Sequence, residues 1–281
     1  MYFGAHVSIA GGIPNAPLNA ATIDCEVFQM FTRSPRGGWV APLDEKIAKQ
    51  FKDNCKEKNQ KEWVIHAPYF INFSSANPRI KHGSVSVIRE ELERGTMLGA
   101  AYVMTHLGSY KDLGPEKGFE ALIDGLAESL KGYKGTTQLL VEISAGSSNA
   151  IGSTYEELGK IVHHPKLKNK VGVCYDTQHG FAAGYDTRDA KSVKITLDKF
   201  AKEIGLEYLK MSHCNDSKTE FNSHSDRHDH IGDGNIGLSG FKALLADKRL
   251  AKVNFYLETE DDKVEKDLEI LKKIRLSLRP A

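Results

Sequence analysis

Eight short runs of apolar, β-branched and aromatic residues recur along the 281-residue chain: YFGAHV, EVFQMF, EWVIH, AYVMTH, QLLVEI, VGVCYD, EYLKMSH and VNFYLE. Each has the length of a buried strand. Between most of them lie amphipathic stretches with helix-boundary signals, such as PEKGFEALIDGLAESLKG, which opens on proline and ends on glycine, and STYEELGKIV, with Ser153 and Thr154 ahead of an acidic first turn. LDEKIAKQFKDNCKEKN, SVSVIREELERGTMLGA, RDAKSVKITLDKFAKEIG and KVEKDLEILKKIRLSL supply further helical segments, and the first two crossovers carry the weakest patterns. Strands alternating with helices build a parallel sheet, and eight of them close a (β/α)8 TIM barrel, a fold of typically ~250 residues. No linker-like or low-complexity stretch divides the chain, so residues 1–281 read as one α/β domain.

Composition sets limits on partner and compartment. Lys+Arg 38 against Asp+Glu 37 gives a formal net charge of +1, so any nucleic-acid contact needs a local basic patch. Cys25, Cys55, Cys174 and Cys214 form no CxxC pair and suggest neither a disulfide framework nor a thiolate zinc site. A reducing, intracellular compartment is expected. No signal peptide is apparent in MYFGAHVSIAGG, and no apolar run approaches the ~18 residues that span a bilayer, so a soluble protein without a membrane partner is expected.

The polar residues at the ends of the runs carry the functional signal. In order they are His6, the Thr32–Arg33 pair, His66, His106, Glu142, Asp176, His213 and Glu258. In this barrel, active sites are assembled from the C-terminal ends of the strands, so closure brings these side chains to one mouth. Imidazoles mixed with carboxylates are a ligand set for zinc, manganese or iron. A carboxylate can bridge two cations ~3.5–4 Å apart, an arrangement suited to phosphoryl chemistry. The candidates outnumber the needs of one tetrahedral ion, which implies a multinuclear site.

The bland readings differ in weight. One histidine at a strand end is more often a structural hydrogen-bond partner, but His66, His106 and His213 are three at equivalent places. Glu142 and Glu258 follow wholly apolar runs, where an unpaired carboxylate is costly to bury; a cation compensates, and so does an Arg or Lys partner. His179, in CYDTQH, reads as a second ligand on the loop after Asp176, or as a partner behind the ligands. Cys174 and Cys214 neighbour these residues, and strand alternation directs both into core packing. His163 and His164 look like a surface helix end, and His82 like a solvated loop residue. The polar stretch HSDRHDH, His224 to His230, leaves open which of its histidines meets a metal.

HAPYFIN, THLGSY, VGVCYDTQH, HCNDSK followed by DRHDHIGDGNIG, and LET at the last strand, with GAHVSIAGG and AAGYD, resemble the endonuclease IV family of apurinic/apyrimidinic (AP) endonucleases. The resemblance runs collinearly from residue 4 to about residue 260. It implies a xylose-isomerase-like TIM barrel with three zinc ions, manganese being the alternative at one of them. It implies cleavage of duplex DNA on the 5′ side of an abasic site, leaving a 3′-hydroxyl and a 5′-deoxyribose phosphate, with repair of blocked 3′ ends besides, by a monomer located wherever the DNA is. Carried over by position, the first ion takes His66, His106 and Glu142, and Glu142 bridges to a second held by Asp176, His213 and Glu258. The third takes His179, Asp226 and His228, and Glu142 is the catalytic residue. FTRSPRGGW resembles the family's DNA-penetrating loop, with Arg36 entering the base stack and Tyr69 near the lesion. Lys111, Lys218 and Arg227 are candidate phosphate contacts by charge, and His230 a residue behind the ligands or facing phosphate.

The chain departs from the family pattern in three places: Gln178 stands where members often carry Cys, TEFNSHSD replaces a glycine-containing turn, and Gly37–Gly38 follow Arg36. The rival reading is a divalent-metal sugar isomerase or epimerase on the same barrel, which typically uses two or fewer metals and lacks a DxH pair after the seventh strand. A DNA-binding protein with a decayed site is a third reading, disfavoured because all nine ligand positions are filled.

Overall fold

A computed structural model describes residues 1–38 and 40–278 of the chain. Trp39, the last residue of the FTRSPRGGW motif, lies outside them. All eight apolar runs form strands: β1 (Phe3–His6), β2 (Val27–Met30), β3 (Trp63–His66), β4 (Tyr102–Thr105), β5 (Gln138–Glu142), β6 (Val171–Asp176), β7 (Leu209–His213) and β10 (Asn254–Leu257). They pair in parallel and close in the order β1-β2-β3-β4-β5-β6-β7-β10, with β10 returning to β1. A two-stranded antiparallel piece, β8 (Asp216–Ser217) with β9 (His228–Asp229), stands apart from the barrel.

The interior of the barrel is filled by one inward residue from most strands: Val27, Val64, Met104, Leu140, Cys174, Met211 and Tyr256. Side chains alternate along a strand, so the residue two positions later faces the same way but sits one layer nearer the mouth. That residue is Gln29, His66, His106, Glu142, Asp176, His213 and Glu258 respectively, and on β1 the same step leads from Gly4 to His6. The strand register levels them, pairing Asp176 with His213 and His6 with Gln29. Gly4 must lack a side chain, because a Cβ there would lie 1.6 Å from the Val27 carbonyl oxygen.

The outward strand faces pack beneath a ring of helices: α1 (Ala16–Thr22), α2 (Glu45–Glu57), α3 (Pro78–Leu98), α4 (Pro115–Leu130), α5 (Tyr155–Val162), α6 (Thr177–Ala182), α7 (Ala190–Glu203), α8 (Gly237–Ala246) and α9 (Val264–Ser277). Fully buried Phe28, Phe51, Phe73, Phe200 and Phe241 belong to this outer core, each contributing on the order of 2 kcal/mol by burial. Capping matches the sequence signals: Asp44, Thr154 and Asp189 side chains accept from backbone N–H groups in the first turns of α2, α5 and α7. Helix α3 begins at Pro78, earlier than its apolar pattern indicates, with Asn77 as its cap. His82 is therefore an exposed helical residue rather than part of a loop. The four cysteines are free and buried. Among the described residues, no helix is long and apolar enough to cross a membrane.

Candidate metal centre

Nine side chains from the C-terminal ends of the strands and the following loops meet at one mouth: His66, His106, Glu142, Asp176, His179, His213, Asp226, His228 and Glu258. Their ligand atoms fall into groups lying within 4.8 Å of one another. His66, His106 and Glu142 make one; Glu142, Asp176, His213 and Glu258 a second; Asp176, His179 and His228 a third. Asp226 adjoins the third, 3.3 Å from His179 Nε2 and 3.4 Å from His228 Nε2. Glu142 and Asp176 each belong to two groups, so each carboxylate stands where it can serve two cations.

The backbone explains these positions. Asp176 ends β6 and caps α6, its Oδ1 accepting from the His179 backbone N–H at 2.8 Å. The cap leaves Oδ2 to accept from Asn215 Nδ2 at 2.7 Å and to face the mouth. His179 consequently sits in the first turn of a helix, not on a loop, and its Nδ1 lies 2.9 Å from the Ile143 carbonyl, which turns Nε2 toward Asp226. Asp226 and His228 reach the mouth on the segment that leads into the β8–β9 pair. TEFNSHS, the run ahead of them, docks on the end of α6 through Asn222 N–H to Phe181 O (3.1 Å) and His224 N–H to Ala182 O (3.0 Å). The Arg188 guanidinium lies over both Phe181 and Phe221 there. Buried Gln178 donates to the Ser225 carbonyl at 2.9 Å, one residue before Asp226, so two of the three departures from the family pattern, Gln178 and the TEFNSHS run, serve to fix this segment.

Several side chains stand elsewhere than the sequence suggests. Thr32 and Arg33 turn away from the mouth: Arg33 pairs with buried Glu91, and Arg94 donates to the Thr32 carbonyl at 3.0 Å and the Ala41 carbonyl at 3.2 Å. This clamp holds both stems of the loop that carries exposed Arg36. The position nearest the metal groups on β2 is Gln29, which sequence reading missed although it lies two residues after an interior valine. Cys174 and Cys214 both pack in the core as expected, but on different faces: Cys174, two residues from Asp176, points into the barrel beneath Glu142 and His213, and Cys214 lies in the outer core. His230 bonds to Asp267 (2.7 Å) and Asp262 (3.1 Å), and His224 is exposed. Lys218 pairs with Glu260, Arg227 donates to the Asp226 carbonyl, and Lys111 is exposed.

The electrostatics at the mouth are tightly opposed. Burial pushes the Glu142 carboxyl up, yet the imidazoles of His213 and His106 outweigh it and hold that carboxyl well below the usual range. Burial dominates at Glu258, whose carboxyl is raised, with Glu142 adding to the rise against His213. Burial, reinforced by His106, lowers His66 well below the ordinary histidine value; burial and His213 push His6 down to about 3. Burial opposes charge on His106, His179 and His213 too, but neighbouring acidic groups outweigh it and raise them, so a cation, which binds the neutral imidazole, would displace their protons.

Protein partners do not satisfy the cluster. Glu142 Oε2, His179 Nε2 and His228 Nε2 are buried and, among the described residues, have only ion-pair neighbours, including His106 for the first and Asp226 for the others, without an aligned hydrogen bond. Buried polar atoms are almost always paired, and orphans that converge with carboxylates on one space fit divalent cations. Imidazole nitrogen together with carboxylate oxygen is a donor set suited to zinc or manganese. Beside it open two concavities, one walled by Tyr69, Glu142, Ser144, Ala145 and Ile151, the other by His6, Phe31, His66, Tyr69 and Glu258.

Comparison with known proteins agrees with this geometry. A family profile described as a xylose isomerase-like TIM barrel matches residues 18–278. A protein named "Probable endonuclease 4" from Methanosphaerula palustris is 38% identical over 275 residues, covering 97% of this chain and 96% of its own. One of the same name from Nitrosopumilus maritimus is 37% identical over 277 residues, covering 98% and 99%. The crystal structure of endonuclease IV from Thermus thermophilus superposes with a TM-score of 0.88 at 31% identity, covering 99% of this chain and 100% of that one. A D-tagatose 3-epimerase-like protein shares the barrel, with a TM-score of 0.75 at 21% identity over 99% and 98% of the two chains, a likeness of fold alone. By its full-length kinship, its closed barrel and the chemistry gathered at the barrel's mouth, the chain belongs to the endonuclease IV family of AP endonucleases.

Proposed function

We propose that this chain, acting as a monomer, hydrolyses the phosphodiester 5′ to an abasic site in duplex DNA and clears blocked 3′ ends, using three zinc ions. The observation that carries the reading is the sharing of Glu142 and Asp176 among three ligand groups at one mouth. His66 and His106 would hold the first ion, Asp176, His213 and Glu258 the second, and His179, Asp226 and His228 the third, with Glu142 between the first two. Cations so held lower the pKa of water and neutralise charge that develops on phosphate and leaving oxygen. The chain's own contribution is to orient and to exclude: Glu142 directs the attacking water, and the buried floor of Met104, Leu140 and Tyr256 keeps bulk solvent from the ligands' inner side. A third ligand group is what separates this mouth from a sugar isomerase or epimerase, for which a dinuclear set suffices.

Recognition would rest on shape and backbone. An abasic nucleotide has no base to unstack, so its extrusion costs less than flipping an intact one. Tyr69 is 60% exposed beside His66 and His106, with its ring 5.4 Å from the first and 6.1 Å from the second, in position to meet an extruded sugar. Arg36 is exposed at the tip of the clamped loop, followed by Gly37 and Gly38 at φ 94° and 106°, angles that glycine adopts without strain. Arg36→Ala is expected to weaken binding to lesion-bearing duplex about tenfold, on the order of 1.4 kcal/mol, with metal content unchanged. Equal affinity in an anisotropy titration would remove Arg36 from the interface.

The deciding experiment is nicking of a duplex with one abasic analogue by zinc-replete protein in the absence of magnesium. Incision on the 5′ side, with three zinc ions per chain by elemental analysis, is the expected result. No incision, together with turnover of a ketose or aldose, would overturn the reading in favour of a sugar isomerase.

A further inference from the structure

Gln29 is wholly buried and touches three titratable side chains. Its Nε2 lies 2.7 Å from Glu258 Oε1 and 3.1 Å from His6 Nδ1, and its Oε1 lies 2.8 Å from His213 Nε2. A carboxylate only accepts hydrogen bonds, so the amide –NH2 must face Glu258, and the reverse orientation would set two oxygens 2.7 Å apart. The second amide hydrogen then points to His6 Nδ1, which accepts it. With both hydrogens committed, the amide oxygen is left for His213, and only a protonated Nε2 can bond to it. The other ring nitrogen, Nδ1, is turned toward the carboxylates: 2.6 Å from Glu142 Oε1, 3.2 Å from Glu258 Oε2 and 3.7 Å from Asp176 Oδ2.

From this arrangement we infer that Gln29 is a positioning residue that dictates which nitrogen of His213 is offered to a cation. It keeps the proton on Nε2, leaves Nδ1 for the metal, and at the same time aligns Glu258 in the same ligand group. The partner that holds a ligating histidine's far nitrogen is commonly a carboxylate or a backbone carbonyl, and its loss typically costs 10–100-fold in metal affinity. Here a neutral amide does it for two ligands at once. Neutrality is physically required: a carboxylate at position 29 would stand against Glu258 inside a cluster already crowded with negative charge.

The inference rests on the cation-binding reading of the mouth, and its test reads the histidine directly. Protein carrying 15N-labelled histidine is loaded with zinc, and the His213 imidazole signals are assigned by their absence in His213→Gln. The parent is expected to show a solvent-protected Nε2–H on His213 with Nδ1 bound to zinc. Gln29→Met, of equal length but without donor or acceptor, should lose that protected proton and bind zinc about 10–100-fold more weakly in a chelator-buffered titration. Gln29→Glu, which keeps an acceptor for His213 but sets a second carboxylate against Glu258, should retain the Nε2–H while binding zinc more weakly than the parent; loss of the Nε2–H in this variant would overturn the role even where the Met variant fails to fold. The role falls if the parent binds zinc through Nε2, or if Gln29→Met loses zinc while keeping the Nε2–H. It falls equally if Gln29→Met keeps the signal and an affinity within twofold of the parent. Failure of the parent to take up any zinc would instead overturn the reading of the whole mouth.

Discussion

Glu142→Gln is expected to lower incision at an abasic site by at least ~10³-fold, the scale of losing a preorganised electrostatic group at a reacting centre. The substitution preserves shape but removes a charge from the most contested point of the mouth. Glu142 lies 2.6 Å from His213 Nδ1, 3.0 Å from His106 Nε2 and 3.5 Å from His179 Nδ1. An amide presents one acceptor oxygen where the carboxylate presents two, so it cannot span two cations, and its –NH2 would be directed at the His213 and His106 nitrogens proposed to bind metal. Loss of at least one zinc equivalent should accompany the loss of rate, with the chain still folded by circular dichroism. Single-turnover nicking together with elemental analysis makes the measurement; a rate near the parent's would refute the bridging role.

Removal of the metal should be equally severe. Prolonged chelation is expected to abolish incision, with recovery on added zinc and none on added magnesium, which prefers an all-oxygen octahedron and gives up its water reluctantly. Stability should fall with it. Glu142, Asp176 and Glu258 are packed together with Asp226 close by, and like charges at such separations repel unless a cation stands among them. A cation present at ~1,000 times its Kd stabilises the folded chain by about 4 kcal/mol. Urea unfolding of stripped and reloaded protein measures this difference. Undiminished nicking by a chain shown to be metal-free would end the metal-assisted mechanism.

Strand alternation explains which parts of this site are legible in the sequence. His66, His106, Glu142, Asp176, His213 and Glu258 each stand at the end of an apolar run, where the period of two and the closure of the barrel leave one destination. The same rule, applied from the interior residues outward, also selects Gln29 and rejects Thr32, while Arg33, though in phase, lies beyond the end of β2 at Met30 and turns to Glu91. It was the run's end, not its phase, that drew attention to the latter pair, and a glutamine inside an apolar run looks like a mere interruption. Phase likewise puts Cys174 inside the barrel, on the face it shares with Asp176. Helix α6 was hidden by its brevity, six residues with a nucleus stabilised by the Asp176 cap and by burial rather than by propensity. Helix α8, GLSGFKALLA, opens on glycine and carries no capping side chain, so it lacked a start signal.

The amino-acid sequence by itself pointed to the barrel, because eight strand-length apolar runs alternating with amphipathic helices build a parallel sheet of the strand number that closes. It also determined the types of candidate ligand, imidazole and carboxylate at the rim. The tertiary structure decided how those ligands divide. The Asp176 cap that aims one oxygen at His179 and frees the other, the Gln178 bond that steadies the approach to Asp226, and the Gln29 amide shared by His213 and Glu258 are all matters of local geometry, the last two joining residues distant in sequence. Hydrogen bonds of this kind are set by angles and distances of a few tenths of an ångström, which no pattern of residue types encodes until the chain has folded.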